Sequence, residues 1–533
     1  MNARTTYFKN VIVPGLVLSG VTGILTGAFI FFFKWGADFF AGLSGDIYGF
    51  VRDNLAYLPL MILGLAALAV ITAFFIKKEP VVSGGGIPTA EGILRGLITF
   101  KWLRALIGMV INGYAAFFAG LPLGNEGPSV LIGTSIGRGT GKLFKNSPAW
   151  DRYVMTGGAA AGFATATGSP ATGVVFALEE VHKRFSPMIL MVALSSVVFA
   201  SFTSGALAEI FGRSADMFAF SALPALPLKY FWPGLIAGAG AGMMAVLFIK
   251  GFVFLYSLLG EKIRKVPTEV KLIAVFILVG AAGLILPAAA GSGHSVIEQV
   301  NGRGMVWYMI AVLLVVKVVL ILLCGGAGAT GGLFIPVLTV GALTGGLIAE
   351  LCLVLNMPAE YYSAVVLMTV SAFLGATLRA PITALLFFIE ALGGINNVPF
   401  AVLALFVSYL IAEITGVKPL YETVLERKLR ILNKDKVPRI IELEAVVQKG
   451  AFVIGKATRD IFWPPSCLVT SVVRAGSDRI SGARMDKDGE KVIREGDILS
   501  LRVQTYDQNE TFKLIRDLVG ADPVPSGELE KKT

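Results

Sequence analysis

The chain has 533 residues, of which 55% are hydrophobic and only 15% are charged, and its mean hydropathy is +0.74. This composition excludes a soluble enzyme and indicates a polytopic membrane protein. The formal net charge of +10 fits basic cytoplasmic flanks of membrane helices, and the sequence lacks the basic and aromatic pattern of nucleic-acid binding.

The N-terminal part of the chain predicts two membrane spans. Val11 to Phe33 is a run of 23 residues without a charge. This length is sufficient to cross the bilayer core. Leu55 to Ile76 predicts the second span, and the residues between the two runs, which include Asp38, Asp46 and Asp53, predict a loop. Basic residues flank both spans on the same side, so the N-terminus is predicted to be cytoplasmic.

Three sequence elements occur twice at nearly the same spacing. The pairs are residues 84–91 and 291–298, residues 124–128 and 332–336, and residues 163–179 and 374–390. Their spacings are 207, 208 and 211 residues. One such match would follow from a glycine-rich composition, but three in register indicate a duplicated membrane unit. We assign the two repeats to residues 11–215 and 225–430.

The repeats, and the breaks within them, predict the fold class. With 62 glycines and 24 prolines, many apolar stretches are short or interrupted, so broken and re-entrant helices are expected. Non-helical backbone at membrane depth is tolerated only inside protein or around a cavity, which implies a protein-buried pathway. The predicted fold is an all-α polytopic membrane protein with two inverted-topology repeats, followed by a small α/β cytoplasmic domain.

The composition changes from Lys434 onward, where charged residues become frequent and apolar runs shorten to strand length. Cys467–Val473 and Asp497–Val503 predict strands, and Thr511–Leu518 predicts a short amphipathic helix. The predicted domains are a membrane domain over residues 1–432, a cytoplasmic domain over residues 437–521 and a disordered polar tail over residues 522–533.

The cysteines and histidines form no recognisable metal or disulfide motif. The chain has three cysteines, two of them in apolar segments, which is typical of packing residues. The two histidines, His182 and His294, lie far apart in the sequence. We therefore expect no disulfide, no metal site and no cofactor.

Glycine-rich turns open three of the predicted membrane helices, at residues 84–88, 124–128 and 332–336. Moving a small anion into hydrocarbon costs on the order of tens of kcal/mol. Backbone N–H groups at helix N-termini offset that cost without adding a full charge that would trap the ion. Glycine lets the backbone approach the ion, and a proline near the helix start lacks only an N–H that is not needed there.

These three turns resemble the filter motifs of the CLC family of chloride channels and chloride/proton exchangers, G-S-G-I-P, G-[KR]-E-G-P and G-x-F-x-P. A fourth segment, Lys418-Pro419-Leu420-Tyr421, resembles the one that bears the filter tyrosine of that family. The resemblance implies a homodimer with one anion pathway per subunit. It also implies a multi-pass protein of the inner or plasma membrane with both termini cytoplasmic.

The resemblance implies two proton-carrying carboxylates, with Glu126 as the external gating glutamate and Glu180 as the internal proton-transfer glutamate. The implied anion-binding residues are Gly85, Gly86, Ile87, Asn125, Glu126, Gly127, Leu333, Phe334 and Tyr421. From the residues alone, Glu126 could simply stabilise its helix by about 0.3–1 kcal/mol, and Glu180 could pair with Lys183 or Arg184. Glu390, the repeat partner of Glu179, is expected to serve the structure.

Two residues depart from the family pattern. Gly85 stands where the family has a serine that donates its hydroxyl to the central anion, and Ser83 lies two residues earlier. Asn125 replaces the usual Lys or Arg, which removes a positive charge near the outer mouth. Both departures bear on anion preference, while Pro128 and Phe334 follow the chloride-type motifs and not those of the fluoride-selective branch.

The cytoplasmic domain resembles the C-terminal subdomain of potassium-transport regulators, of the TrkA-C or RCK-C type. The resemblance rests on residues 453–458, 469–476 and 494–501, followed by the short helix. Such domains dimerise and bind small ligands, so a small-molecule regulator is one expectation. A plain dimerisation tether is the alternative.

The sequence therefore predicts a secondary active transporter, not an enzyme, that exchanges chloride or a related small anion for protons. Its expected partners are chloride, protons, membrane lipid and a second copy of the chain, and no nucleic acid. One alternative is a passive chloride channel gated by Glu126, in which Glu180 is inert. Another is a membrane sensor that signals through residues 437–521. An intramembrane hydrolase is disfavoured because neither histidine lies beside a nucleophile motif.

Overall fold

The computed structural model describes residues 12–144, 148–214, 217–218, 220, 223–258, 265–433, 439–474 and 489–526. Most of these residues are helical, and a small sheet follows the last membrane helix. This arrangement confirms the predicted fold class, a helical membrane body with a small C-terminal domain. We call the described residues between 12 and 433 the membrane body and those between 439 and 526 the C-terminal domain.

The first half of the membrane body contains eight helices: α1 (Val13–Asp53), α2 (Leu58–Lys78), α3 (Ile87–Leu94), α4 (Trp102–Phe118), α5 (Glu126–Leu143), α6 (Pro148–Thr167), α7 (Pro170–Phe176) and α8 (Pro187–Ile210). The second half contains α9 (Trp232–Ser257), α10 (Thr268–Ile285), α11 (His294–Asn301), α12 (Trp307–Ala327), α13 (Phe334–Val354), α14 (Tyr362–Leu378), α15 (Pro381–Glu390) and α16 (Val398–Ile414). A further helix, α17 (Leu420–Leu432), follows them.

The two halves repeat each other helix by helix. The helices that open on the repeated motifs, α3 and α11, α5 and α13, and α7 and α15, begin 207, 208 and 211 residues apart. Several of these helices are too short to cross a bilayer, as expected for broken and re-entrant segments. By length and composition, nine helices among the described residues are able to cross a membrane. The body is therefore polytopic, with its short helices enclosed between longer ones.

Two carboxylates join the halves in a reciprocal way. Glu390, at the end of α15, accepts hydrogen bonds from Ala171 N at 2.8 Å, Thr172 N at 2.7 Å and Thr172 Oγ1 at 2.6 Å, all at the start of α7. Glu179 accepts the equivalent bonds from the first turn of α15, at 2.7–3.0 Å. Each carboxylate thus satisfies orphan N–H groups at the positive end of a helix in the other half.

The first helix is longer than its sequence predicted. α1 runs without a break from Val13 to Asp53, so the loop expected after Phe33 is wrong, and Asp38, Asp46 and Asp53 are exposed helix residues. The helix continues because one face remains buried along its length, at positions that include Ala37, Ser44, Tyr48 and Val51. This spacing keeps the stripe against the rest of the protein while the aspartates face outward. Val11 lies outside the described residues.

The C-terminal domain is an antiparallel sheet covered by one helix. Its strands are β1 (Arg439–Val446), β2 (Cys467–Val473), β3 (Ile498–Thr505) and β4 (Val524–Pro525), in the order β2-β3-β1-β4, and α18 (Gln508–Val519) follows β3. The two strands and the helix predicted for this part are confirmed. Alternate residues of β1 and β3, such as Leu443, Leu499 and Leu501, point into a core shared with Ile515 of α18.

The expectation of a disordered tail from residue 522 is wrong at its start. Val524 pairs with Glu444 and Pro525 with Leu443, and Ser526 N donates to Glu442 O at 3.1 Å. The free edge of β1 offers unpaired backbone groups, and these few residues satisfy them. Residues 527–533 lie outside the described part of the chain.

The reciprocal carboxylates yield a stability prediction. Replacing Glu390 by Ala removes three hydrogen bonds and a favourable charge at the start of α7, so we expect a loss of about 1–2 kcal/mol of folding free energy. Because Glu390 is exposed, water takes over part of the lost bonding, which keeps the loss in this range. Thermal unfolding of the purified protein in detergent would show a lower midpoint.

The matched control is Glu209→Ala, which removes an exposed carboxylate near the end of α8. An unfolding midpoint equal to that of Glu209→Ala would contradict a stabilising role for Glu390.

Candidate functional site

Three glycine-rich loops meet at the centre of the membrane body. Gly124 N donates to Gly332 O at 2.8 Å, and Gly332 N donates to Gly124 O at 2.7 Å, so the two halves form a reciprocal backbone bridge. Gly331 N donates to Gly84 O at 3.3 Å, which brings in the third loop. A side chain at Gly127 would overlap the backbone of Gly85, so only glycine permits this approach. The N-termini of α3, α5 and α13 therefore converge, as the repeats predicted.

Glu126 is the first residue of α5, and its side chain is buried in this convergence. The backbone N–H groups of Glu126 and Ile335 lie beside its carboxylate, where they stabilise the charged form. Its Oε2 atom has no hydrogen-bond partner among the described residues. A buried carboxylate at converging helix N-termini occupies the place that suits an anion.

Tyr421 lies in the first turn of α17 and is fully buried. Its hydroxyl makes no hydrogen bond to any residue that the structure describes. Both Glu126 and Glu180 are near enough to influence it electrostatically. The hydroxyl is therefore a buried neutral donor within electrostatic reach of two carboxylates.

Glu180 occupies a π-helical turn, Ala177–Val181, that continues α7. Its side chain is buried, and Oε1 is unpartnered within the described part of the chain. Glu179, the adjacent residue, makes the reciprocal bonds to α15 described above. The two neighbouring carboxylates on this turn thus have different surroundings, since Glu179 bonds to α15 and Glu180 is buried. Irregular π-helical turns are frequent at functional sites.

Glu91 is a buried carboxylate that the sequence reasoning did not single out as functional. It belongs to α3, its Oε1 accepts from Arg95 Nη1 at 2.7 Å, and its Oε2 has no partner among the described residues. It lies close enough to Glu180 for their charges to interact. Nearby, Lys183 Nζ donates to Glu422 at 2.9 Å. The sequence feature that could have identified Glu91 is its position as the only charged residue within the short helix α3.

A cavity of about 750 Å³ reaches Glu126 from one side of the body. Asn125 lines it, as do Lys34, Arg52 and Arg213. The sequence predicted a loss of positive charge here because Asn125 replaces a cation. Helix α1 and the segment after α8 supply cations to the same cavity, which Asp38 and Glu298 also line. Lys34 is close enough to Glu126 to interact with its charge.

Gly85 stands at the position of the family serine, and Ser83 is the nearest serine in the sequence. Ser83 Oγ donates to Gly328 O at 3.0 Å, so the single hydroxyl hydrogen of Ser83 is already used. A Cβ added at Gly85 would meet no atom nearer than 3.6 Å, which is ordinary contact. The Ser83 hydroxyl is therefore engaged with the backbone of Gly328, and position 85 has room for a Cβ.

Leu333 and Phe334 start α13, the helix that corresponds to α5 in the other half. The Phe334 ring packs edge-on against Phe163 and Phe387, with centroids 5.0 and 5.2 Å apart. The helix that begins with a carboxylate in one repeat thus begins with a phenyl ring in the other. Ile87 and Gly86 open α3 beside these groups. All the predicted site residues except Glu180 thus lie on the three converging loops, in the first turns of the helices that these loops open, or on α17.

Among the described residues, no group of three or more His, Cys, Asp or Glu side chains is placed to hold a metal ion.

Comparison with known proteins gives concordant results. The chain is 29% identical over 423 residues to the H(+)/Cl(-) exchange transporter ClcA of Salmonella typhimurium, covering 78% of this chain and 88% of that protein. It is 30% identical over 424 residues to the ClcA of Salmonella paratyphi A, with the same coverage.

Among solved structures, a slow cyanobacterial Cl−/H+ antiporter superimposes with a TM-score of 0.73 at 27% identity, over 79% of this chain and 99% of that one. A CLC-type fluoride/proton antiporter superimposes with a TM-score of 0.64 at 22% identity, over 77% and 97% of the two chains, and supports the fold alone. Residues 63–413 match the family described as voltage gated chloride channel. The chain belongs to that family, the CLC proteins.

Proposed function

We propose that this protein exchanges chloride, or a closely related anion, for protons across a membrane, with Glu126 and Glu180 as the proton-carrying carboxylates. The names of the ClcA relatives and of the cyanobacterial antiporter support this reaction. The alignment of these proteins with most of the membrane body supports the same reaction. The protein is thus a transporter.

One observation carries the proposal. The buried Tyr421 hydroxyl lies within electrostatic reach of Glu126 and of Glu180, and it has no partner in the described part of the chain. A buried neutral donor without a partner, within reach of two buried carboxylates, suits an anion that passes through this region. A passive channel would need no second buried carboxylate, because its conduction moves no protons.

Glu126 acts at the converging helix N-termini. When ionised, its carboxylate competes with the anion for the N–H groups and the helix dipoles. When protonated from the cavity, it loses that attraction, leaves the position and carries a proton. Anion and proton therefore exclude each other from one place, which couples their movements.

Glu180 acts at the other end of the pathway. Burial in a low-dielectric surrounding makes an uncompensated carboxylate costly, so a proton that reaches it relieves that cost. Glu91, with its second oxygen unpartnered, and the Lys183–Glu422 pair lie around it. These groups set the electrostatic surroundings in which Glu180 receives and releases protons.

The anion-binding set remains Gly85, Gly86, Ile87, Asn125, Glu126, Gly127, Leu333, Phe334 and Tyr421. The resemblance to the CLC family supports a homodimer in the plasma or inner membrane with both termini cytoplasmic. We place the membrane domain at residues 1–432 and extend the C-terminal domain, predicted to end at residue 521, to include β4. The C-terminal domain is the proposed site for a small-molecule regulator, and membrane lipid surrounds the body.

The exchange reaction is tested by proton movement in proteoliposomes driven by a chloride gradient alone. We expect the wild-type protein to move protons against their gradient, because anion and proton share Glu126. Glu126→Gln and Glu180→Gln each keep anion flux and lose most proton movement, by about tenfold or more, because a neutral amide carries no proton. A pH electrode and a chloride electrode record the two fluxes together.

Glu209→Gln, an exposed carboxylate change on α8, serves as the control and should behave as the wild type. Chloride flux without proton movement in the wild type would make the protein a channel or an uncoupled carrier.

Anion preference is tested at position 85. Gly85→Ser adds a hydroxyl where a Cβ meets only ordinary contacts, so the variant is expected to fold. Because a hydrogen bond to a charged group contributes about 1.5–3 kcal/mol, we expect chloride flux to rise about threefold or more relative to nitrate flux. Competition between the two anions in the flux assay measures this ratio.

Gly205→Ser is the matched control, since a Cβ at Gly205 of α8 meets no atom within 4 Å. An unchanged chloride-to-nitrate ratio in Gly85→Ser would sink the idea that the missing hydroxyl sets anion preference.

A further inference from the structure

The C-terminal domain contacts the membrane body through the loop between β1 and β2. Phe462, in this loop, is 95% buried, because it enters a cluster formed mostly by residues of the membrane body. The cluster contains Trp150, Tyr153, Leu178, Met188, Ile189 and Val192. A side chain of the C-terminal domain is therefore part of the packing of the membrane body.

The Phe462 ring is surrounded by aromatic and cationic groups. Its centroid lies 4.2 Å from that of Tyr153 and 4.7 Å from that of His182, on which it stacks. The guanidinium carbons of Arg152 and Arg184 lie 4.7 and 4.9 Å from the ring centroid. Stacking and cation–π contacts of this kind are directional, so they fix the ring and its neighbours in one arrangement.

Hydrogen bonds hold the same loop in place. Arg152 Nη1 donates to Phe462 O at 3.1 Å and to Trp463 O at 2.9 Å, while Arg152 Nε donates to Leu94 O at 2.9 Å. Ser186 Oγ donates to Asp460 Oδ1 at 2.6 Å, and the Tyr153 hydroxyl donates to Asp460 O. The arginine ties the loop to the end of α3, the helix that carries Glu91.

The groups around Phe462 enclose the turn that carries Glu180. Leu178 precedes Glu180 and belongs to the Phe462 cluster, while His182 follows Glu180 and stacks on the ring. The turn is closed by His182 N donating to Ala177 O at 3.3 Å and Arg184 N donating to Leu178 O at 2.9 Å. Glu180 therefore lies between one residue that shares the Phe462 cluster and another that stacks on the Phe462 ring.

The orientation of His182 is also defined. Thr156 Oγ1 donates its single hydrogen to Arg152 O at 2.7 Å, so in its 2.8 Å bond to His182 Nε2 the threonine oxygen accepts. The imidazole is thus held by a hydrogen bond at its edge and by the Phe462 ring on its face. Removing either contact loosens the residue that closes the Glu180 turn.

We infer that Phe462 is a positioning residue for Glu180, through which the C-terminal domain controls proton transfer but not the anion site. The inference rests on the proposed anion/proton exchange. The Phe462 ring contacts Tyr153, His182, Arg152 and Arg184, none of which belongs to the three glycine loops or to α17, so the anion path keeps its own contacts when the ring is removed. Proton and anion fluxes therefore respond differently to the same change.

The test measures proton and chloride fluxes of full-length Phe462→Ala in proteoliposomes. We expect the proton-to-chloride ratio to fall about tenfold, because misplacing a proton-transfer group by about 1 Å is enough for such a loss. Phe462→Tyr keeps the ring and should restore most of the ratio. Thr156→Val, which keeps the side-chain shape and removes the bond to His182, should lower the ratio in the same direction.

The matched control is Tyr506→Ala, which removes an aromatic ring from an exposed position in the same domain. A wild-type ratio in both Phe462→Ala and Thr156→Val would overturn the inference, as would equal losses of proton and chloride flux. If the wild-type protein itself moves no protons, exchange fails and this inference falls with it. An altered ratio in Tyr506→Ala would also contradict it, since any damage to the domain would then suffice.

Discussion

The reciprocal backbone bridge between Gly124 and Gly332 is the contact on which the membrane body depends. It lies where the two repeats meet, and it sets the distance between the N-termini of helices α5 and α13. Side chains at Gly86, Gly127 and Gly332 would overlap backbone atoms of a neighbouring loop, so the approach requires glycine at these positions. From this one contact follow the convergence of helix N-termini and the concentration of N–H donors that an anion needs.

Symmetry in the backbone coexists with asymmetry in the chemistry. Glu179 and Glu390 make the same set of hydrogen bonds in opposite directions, as expected of a duplicated unit. At the starts of α5 and α13, by contrast, Glu126 is matched by Phe334, which packs in an aromatic cluster. A duplicated scaffold thus provides two equivalent positions, of which one holds a proton-carrying group and the other fills space. Coupled transport needs that difference.

Much of this architecture could be predicted because it is local or repeated in the sequence. The glycine-rich turns, the repeat spacings and the strands β2 and β3 of the C-terminal domain all depend on short patterns of residue type. Strands β1 and β4 were not predicted. The length of α1 was missed because charged residues suggested a loop, while the buried stripe that extends the helix depends on its packing partners. Glu91 was seen only as a repeat marker, since nothing in the sequence placed it beside Glu180. The cations around Asn125 come from α1 and from the segment after α8, so only the folded chain brings them together.

The continuous first helix has a consequence for the membrane field. At about 1.5 Å per residue, its 41 residues extend roughly 60 Å, about twice the thickness of a bilayer core. The end with the exposed aspartates therefore projects beyond the hydrocarbon, and Lys34, Asp38 and Arg52 from this part line the cavity that leads to Glu126. Ions in the cavity reach the carboxylate without crossing the full hydrocarbon, so the voltage falls over a shorter distance. A charge that moves at Glu126 consequently senses a stronger electric field than the bilayer thickness alone would impose.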